Sequence, residues 1–310
     1  MLALLCSGQG RQHPDMFALP DHAPEAAALF AHAAALLGGH DPRELIRTAS
    51  PELLHLNRVA QILCALQALA AARALREVMP DRFVVAGYSV GEVAAWGIGG
   101  LLGMKDVLDL VAQRAILMDA DSGPDDGLLF VRGLSRERVD RLCQQHDCSV
   151  AIVNPGEAFV LGGERQRLDA LAREAQALNA AHTVPLPVNV ASHTQRLAHA
   201  ASEFRAELSH FQPDLSRVAH VRILSGVDGS PVLHAETGCD KLAAQISHTV
   251  QWADCLQGCV EAGATAFLEL GPGAALSGMA AAAYPGIPAR SLEEFKTMSG
   301  ARAWVARACQ

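Results

Sequence analysis

A serine held between two glycines is the part of this sequence that points most directly to chemistry. Residues 84–96 read Val-Val-Ala-Gly-Tyr-Ser-Val-Gly-Glu-Val-Ala-Ala-Trp, which predicts a short strand, a tight turn and a helix. This is the nucleophile-elbow pattern G-x-S-x-G, in which strained backbone projects the serine, here Ser89, above a sheet. The next amide, that of Val90, begins the helix and can donate to an oxyanion. An ordinary glycine-rich turn is the alternative, because the pentapeptide is short.

A serine nucleophile needs a base, and His193 is the best placed of the thirteen histidines. It closes a predicted apolar strand, precedes a helix, and follows the elbow in the chain order of α/β-hydrolase-like sheets. No acidic residue between Ser89 and His193 lies in an elbow-like context, which weighs against a Ser-Asp-His hydrolase. A backbone or amide carbonyl is the expected partner that holds the imidazole tautomer.

Two further polar residues, Gln9 and Arg114, are candidates for a functional site. The loop 7–12, Ser-Gly-Gln-Gly-Arg-Gln, follows an apolar strand at 2–6, and α/β sheets place their sites at such strand ends. It lacks the Gly-Lys-Ser/Thr of a P-loop and the dinucleotide fingerprint, so Gln9 is a candidate for its amide groups. Arg114 is a single basic residue in the apolar part of a helix predicted over 105–118. It either extends from the helix surface to water or binds an anion.

Composition limits the class of protein. The 310 residues are 50% hydrophobic and 19% charged, with a net charge of −8 and no Lys/Arg cluster. Nucleic acid is therefore not an expected partner. The longest uncharged apolar run, 93–104, contains four glycines and is too short to span a bilayer. We expect a soluble protein without membrane association.

The cysteines indicate a reducing compartment. There are eight of them and no C-x-x-C pair, so we expect reduced thiols, a cytoplasmic location and no metal site. Cys255 and Cys259 lie one helical turn apart, which is typical of a buried helix face.

The elements that must position these residues form an α/β fold. Strand patterns cover 2–6, 83–86, 221–225 and 265–270, and helical patterns cover 23–37, 57–78, 105–118, 241–247 and 251–262. After a polar turn cluster at 119–127, six elements between 128 and 188 follow the β-α-β-β-α-β order of a ferredoxin-like unit. The sequence predicts an α/β-hydrolase-like parallel-sheet large domain with an inserted ferredoxin-like subdomain. The predicted division is large domain 1–125, subdomain 126–189 and large domain 190–310.

Seven motifs in order over nearly the whole chain resemble the malonyl-CoA:acyl-carrier-protein transacylases. Residues 7–12 resemble the opening P-G-Q-G-x-Q of that family, and 87–92 resemble its G-H-S-x-G-E elbow. The remaining matches are to the first glutamine-bearing helix (58–61), the arginine helix (113–114), the histidine motif (192–193), the late Q-x-x-x-P-V-x-W segment (245–252) and the closing E-x-G-P-G (269–273).

The resemblance implies a ping-pong acyl transfer that needs no tightly bound cofactor. Ser89, with His193 as its base, takes malonyl from malonyl-CoA, and the phosphopantetheine-type thiol of an acyl carrier protein then receives it. The resemblance also implies an oxyanion hole from the amides of Gln9 and Val90. The other roles it implies are a carboxylate contact for Arg114 and pocket or orienting positions for Gln61, Tyr88, Asn154 and Gln245.

Departures from the family pattern leave alternatives open. Tyr88 replaces a histidine, Cys6-Ser7 replaces an aromatic-proline pair, and His248-Thr249 replaces a residue-proline pair. They suggest a divergent branch, such as the malonyltransferase subunit of malonate decarboxylase or a stand-alone polyketide acyltransferase. The Ala-Ser-His segment at 191–193 leaves methylmalonyl selectivity open. A serine thioesterase or hydrolase with the same Ser-His pair is the rival enzyme, and an idle partner subunit is the non-enzymatic rival.

Overall fold

The computed structural model describes residues 1–20, 23–218 and 220–309. The strands are β1 (Leu2–Cys6), β2 (Phe83–Gly87), β3 (Asp126–Arg132), β4 (Ser149–Asn154), β5 (Ala158–Glu164), β6 (His182–Leu186), β7 (Val221–Ile223), β8 (Val250–Gln251), β9 (Ala266–Glu269) and β10 (Ala289–Ser291). The helices are α1 (Ala27–Leu36), α2 (Pro42–Thr48), α3 (Pro51–Leu54), α4 (Asn57–Leu75), α5 (Val90–Ile98), α6 (Met104–Asp121), α7 (Arg136–His146), α8 (Arg165–Ala177), α9 (Ala198–Leu208), α10 (Ala235–Ala244), α11 (Trp252–Glu261), α12 (Ala275–Ala283) and α13 (Met298–Ala308).

The larger sheet is parallel throughout, with the strand order β10-β9-β1-β2-β7. Its central strands β1 and β2 are buried along their whole length, which is why they are continuous apolar runs rather than alternating ones. The pairing of Cys6 with Gly87 places the loops after β1 and β2 side by side. The Gln9 loop and the Ser89 turn therefore meet at the carboxyl edge of the sheet.

Helix α4 belongs to the core of this domain. The stretch Asn57–Val78 is long and apolar enough to cross a bilayer by length and composition, but 83% of its most apolar window is buried inside the protein. It packs against α5 and α6. The Leu- and Ala-rich sequence of α4 is thus explained by burial between helices.

The smaller sheet has the order β6-β3-β5-β4-β8. Its first four strands are antiparallel, and α7 and α8 cover a core of their own that includes Leu129, Phe159 and Leu171. This is the ferredoxin-like arrangement, so the predicted fold class is confirmed. β8 was not predicted: it pairs in parallel with β4, and two residues are too few for a readable alternation. The division of the chain at 126 and 190 stays a prediction.

Several predicted helix bounds were wrong. The helix predicted at 23–37 begins at Ala27, after a 3₁₀ turn at Pro24–Ala26, and the one predicted at 241–247 is α10, which ends at Ala244. The short helices α2 and α3 were missed, although both carry readable start signals. Asp41 and Ser50 cap them through their side chains, and each is followed by proline, a frequent first helical residue.

Candidate active site

The turn that carries Ser89 has the strained geometry of a nucleophile elbow. Ser89 has φ 55° and ψ −121° and directly precedes α5. A positive φ at a non-glycine residue is costly and is concentrated at functional sites. Both flanking glycines are required: a Cβ on Gly87 would lie 2.1 Å from the Gly91 carbonyl carbon, and one on Gly91 would lie 2.1 Å from the Cys6 carbonyl oxygen.

We expect Gly91→Ala to destabilise the folded protein by about 1–3 kcal/mol or more, because its Cβ would force α5 away from β1. Urea or thermal denaturation measures the effect. Gly278→Ala is the matched control, since Gly278 lies in α12 and a Cβ there meets no atom of the described residues within 4 Å. The free energy of unfolding of that variant should rise by up to about 1 kcal/mol, because alanine has a higher helix propensity than glycine. Equal stabilities of the two variants would contradict the packing argument.

The structure brings His193 to Ser89. Its Nε2 lies 2.8 Å from the Ser89 Oγ, and its Nδ1 lies 2.5 Å from the carbonyl oxygen of Gln245. A carbonyl can only accept, so Nδ1 carries the hydrogen and Nε2 is left to accept from the serine hydroxyl. The backbone N–H of His193 donates to the Ile246 carbonyl, which ties both ends of the residue to the segment after α10.

The electrostatic surroundings keep this imidazole neutral. His193 is 2% exposed, and burial together with the nearby Arg114 charge lowers its pKa to about 3, against the opposing effect of the Gln245 carbonyl. A neutral imidazole at physiological pH can take up the proton of a serine hydroxyl.

Gln245 connects the elbow with Arg114. Its Nε2 donates to the Ser89 carbonyl at 3.0 Å and to Glu92 Oε2 at 2.5 Å. Its Oε1 accepts from Arg114 Nη2 at 3.1 Å. One fully buried glutamine therefore contacts Ser89, His193 and Arg114, through its side-chain amide and its backbone carbonyl.

Arg114 is buried inside the site and does not extend to water. It is 1% exposed, and its Nη1 donates to Gln61 Oε1 at 2.6 Å. Gln61 is itself held by the Asn57 side chain. Burial lowers the pKa of Arg114 to about 10 while Glu92 opposes the shift, so the guanidinium is charged at neutral pH. Its Nε has no hydrogen-bond partner among the described residues.

A cavity of about 440 Å³ adjoins the elbow. Its lining includes Gln9, Tyr88, Asn154, Phe130, Leu186 and Met279. Arg114 and Gln61 are not among its lining residues. The predicted residues thus form two groups, with Gln61, Arg114, His193 and Gln245 in the buried network and Gln9, Tyr88 and Asn154 around the cavity.

Tyr88 and Asn154 are two of the polar residues that line that cavity. The Tyr88 ring packs edge-on against Trp252, with centroids 5.4 Å apart, and burial raises the pKa of its phenol. The Asn154 side chain lies beside the Tyr88 hydroxyl. Neither Asn154 amide atom makes a hydrogen bond of good geometry with any residue that the structure describes. Asn154 is only 4% exposed, so a polar group in the cavity would be its natural partner.

The two candidate oxyanion donors belong to segments that adjoin Ser89. Val90 is the first residue of α5, where an amide N–H has no acceptor within the helix. The Gln9 loop crosses the elbow so closely that a Cβ on Gly8 would lie 2.9 Å from the Tyr88 carbonyl oxygen. Glu269 helps to hold this loop, since the Ser7 hydroxyl donates to its carboxylate at 2.7 Å. That bond is possible because a serine stands where the resemblance has proline.

Sequence reasoning assigned no role to Glu92 or Glu269. Both are buried carboxylates, and each contacts a residue of the elbow network or of the Gln9 loop. Glu92 had a readable signal, because a carboxylate in an apolar helix directly after the elbow is costly unless it is paired.

The family model for the acyl transferase domain matches residues 4–291. This chain belongs to that family. It is 33% identical over 301 residues to the malonyl CoA-acyl carrier protein transacylase of Mycobacterium tuberculosis, covering 94% of this chain and 96% of the relative. The resemblance drawn from the seven motifs is therefore confirmed.

Solved acyltransferase structures have the same fold over the full chain. The crystal structure of MCAT from Mycobacterium tuberculosis is similar with a TM-score of 0.87 at 31% identity, covering 100% of both chains. A malonyl-transacylase in complex with its type II polyketide synthase acyl-carrier protein is similar with a TM-score of 0.88 at 25% identity, covering 97% of this chain and 99% of that one.

Proposed function

We propose that this acyltransferase moves a malonyl group from malonyl-CoA to the phosphopantetheine-type thiol of an acyl carrier protein, through a malonyl ester of Ser89. The observation that carries the proposal is a serine hydroxyl 2.8 Å from a neutral imidazole, joined through Gln245 to a buried, charged arginine. The relatives named as malonyl-CoA transacylases favour the same donor. Malonyl-CoA is a substrate here, and the chemistry needs no resident cofactor.

In the first half-reaction, the Ser89 oxygen attacks the thioester carbonyl carbon while its proton moves to Nε2 of His193. The negative oxygen that forms is stabilised by the amides of Val90 and Gln9. When the intermediate collapses, the carbon–sulfur bond breaks and the CoA sulfur leaves, taking the proton from His193. In the second half-reaction the carrier thiol gives its proton to His193 and attacks the ester, and Ser89 recovers its hydrogen.

Arg114 pairs with the free carboxylate of the malonyl group in this proposal. A guanidinium can bind a carboxylate through two parallel N–H donors. Gln61 and Gln245 hold it with amide oxygens and do not neutralise its charge. The positive charge therefore remains available to an incoming carboxylate.

The subdomain proposed for residues 126–189 covers the cleft. Phe130 and Leu186 from that segment line the cavity together with Tyr88 of the elbow. Apolar cover of this kind excludes water from the acyl-serine and so favours transfer over hydrolysis. The cysteines are all free, and we place the enzyme in the cytoplasm.

We expect intact-mass analysis to show a malonyl adduct on the enzyme after mixing with malonyl-CoA, and the adduct to disappear only when an acceptor thiol is added. Acetyl-CoA and methylmalonyl-CoA are the comparison donors, and a carrier protein or pantetheine is the acceptor. Release of free malonate at the same rate without acceptor would instead identify a thioesterase. A larger adduct yield with methylmalonyl-CoA than with malonyl-CoA would identify methylmalonyl-CoA as the preferred donor. Comparison of carriers from fatty-acid, polyketide and malonate-decarboxylase systems identifies the pathway.

A further inference from the structure

Glu92 is a buried carboxylate that the proposed steps do not use. It lies three residues after Ser89 in α5, all of whose residues are buried, and it is 1% exposed. Its Oε2 accepts from the Gly226 backbone N–H at 3.0 Å and from Gln245 Nε2 at 2.5 Å. Its Oε1 has no hydrogen-bond partner within the described part of the chain. Burying such a group is costly, and its contacts connect it to the reacting residues.

The contact with Glu92, together with the Ser89 carbonyl that also accepts from Nε2, fixes which way the Gln245 amide faces. A glutamine side chain has a donor end and an acceptor end. A carboxylate can only accept, so Glu92 holds the NH₂ end and leaves Oε1 toward Arg114. The reverse orientation would bring the NH₂ group against the guanidinium, donor against donor, and the carbonyl against the carboxylate.

Glu92 also balances the charge of Arg114. Among the described residues, the guanidinium donates to the neutral amide oxygens of Gln61 and Gln245, and each of the two buried charges favours the ionised form of the other. The other titratable groups that act on Glu92 or respond to it are Asp228 and Cys255. A buried charge without an opposite charge nearby is strongly destabilising, so Glu92 is what makes a charged Arg114 tolerable at this depth.

We propose that Glu92 is a positioning residue for the transfer reaction: through Gln245 it fixes the Arg114 guanidinium and the carbonyl that binds His193. The inference rests on the proposed malonyl transfer. Glu92 thereby takes the place of a triad carboxylate without touching the imidazole. It acts on the recognition of the malonyl carboxylate as well as on the base.

The test compares Glu92→Gln and Glu92→Asp with the wild type. Rapid-quench mass analysis gives the rate and half-saturation of acyl-enzyme formation with malonyl-CoA and with acetyl-CoA. We expect Glu92→Gln to form malonyl-enzyme about 10- to 100-fold more slowly, by analogy with the loss when a group that orients a metal ligand is removed. The acetyl rate should fall less, because acetyl has no carboxylate for Arg114. Glu92→Asp keeps the charge and should recover part of the malonyl preference.

A pH profile separates positioning from a merely structural role. Burial raises the pKa of Glu92 to about 7, while His193 titrates near 3. In the wild type, the malonyl-to-acetyl ratio should fall as the pH drops through about 7, because a protonated carboxyl no longer balances the charge of Arg114 and accepts a weaker hydrogen bond from Gln245. Glu92→Gln should lose this step.

Asp126→Asn is the matched control for loss of a buried carboxylate. Asp126 is 1% exposed and accepts from Arg196 at 2.9 Å and from the Gly123 N–H at 2.9 Å. We expect a lower melting temperature but an unchanged malonyl-to-acetyl ratio, since Asp126 accepts hydrogen bonds from Arg196 and Gly123 rather than from Gln245.

The outcomes distinguish this inference from the proposed function. A wild type that forms no malonyl-serine overturns both. A wild type that forms it, with a Glu92→Gln variant that keeps the wild-type ratio and pH step, overturns the role of Glu92 alone. Should Glu92→Gln not fold, the wild-type profile decides, because a malonyl-to-acetyl ratio that is flat across about 7 contradicts the proposal.

Discussion

Ser89→Ala is expected to form no malonyl-enzyme, with transfer slowed by at least about 10⁴-fold. The Ser89 Oγ lies 2.8 Å from His193 Nε2, and its loss removes the atom that carries the acyl group in the proposed mechanism. The measurement is intact mass after incubation with malonyl-CoA, followed by peptide mapping of the wild-type adduct. Ser225→Ala serves as the control, since Ser225 is also fully buried and is not among the residues of the proposed mechanism. An adduct of normal yield on Ser89→Ala would contradict the mechanism.

The stabilities of two variants at position 89 show whether loss of the adduct is due to unfolding rather than to loss of the nucleophile. Alanine must adopt the positive φ that Ser89 has, whereas glycine does so without a Cβ penalty. Ser89→Gly should therefore be more stable than Ser89→Ala, by about 1 kcal/mol, and both should lack the adduct. If Ser89→Gly were the less stable variant, the backbone at Ser89 would not be under strain.

Arg114→Ala is expected to abolish the preference for malonyl. Malonyl-enzyme formation should fall about 100-fold or more, because two charge-assisted hydrogen bonds to the carboxylate are lost. The yield of acyl-enzyme from neutral acyl-CoA donors should rise relative to the yield from malonyl-CoA. A competition experiment with equal malonyl-CoA and acetyl-CoA, read by adduct mass, gives the ratio directly.

Arg114→Lys is the matched comparison for that experiment. Lysine keeps the charge but lacks the planar fork, so it cannot hold Gln61, Gln245 and a carboxylate at once. We expect an intermediate ratio. If Arg114→Ala kept the wild-type ratio, the carboxylate would be bound elsewhere and Arg114 would serve only the buried network.

Local patterns in the sequence predicted most of the fold. The apolar runs at 2–6 and 83–86 became the central strands because a parallel sheet covered on both faces leaves no polar alternation. The β-α-β-β-α-β order became the small sheet with its own helices. The elbow was readable because its chemistry is local: strand, strained serine, two glycines and helix lie within one short segment. The features missed, such as β8 and the start of α10, are those whose local pattern is short or polar.

The sequence by itself determined the candidates: a serine in an elbow, a histidine after an apolar stretch, an arginine in an apolar helix, and the family whose motifs they match. The strand predicted directly before that histidine is wrong, because residues 187–194 form a loop. Only the tertiary structure decided how they are connected. Gln245 lies 156 residues from Ser89 and 131 from Arg114, and Glu92 reaches it across 153. No local periodicity encodes such contacts. They depend on the order of parallel strands, which brings distant loops to one edge of the sheet, and on burial, which makes an unpaired amide or charge costly.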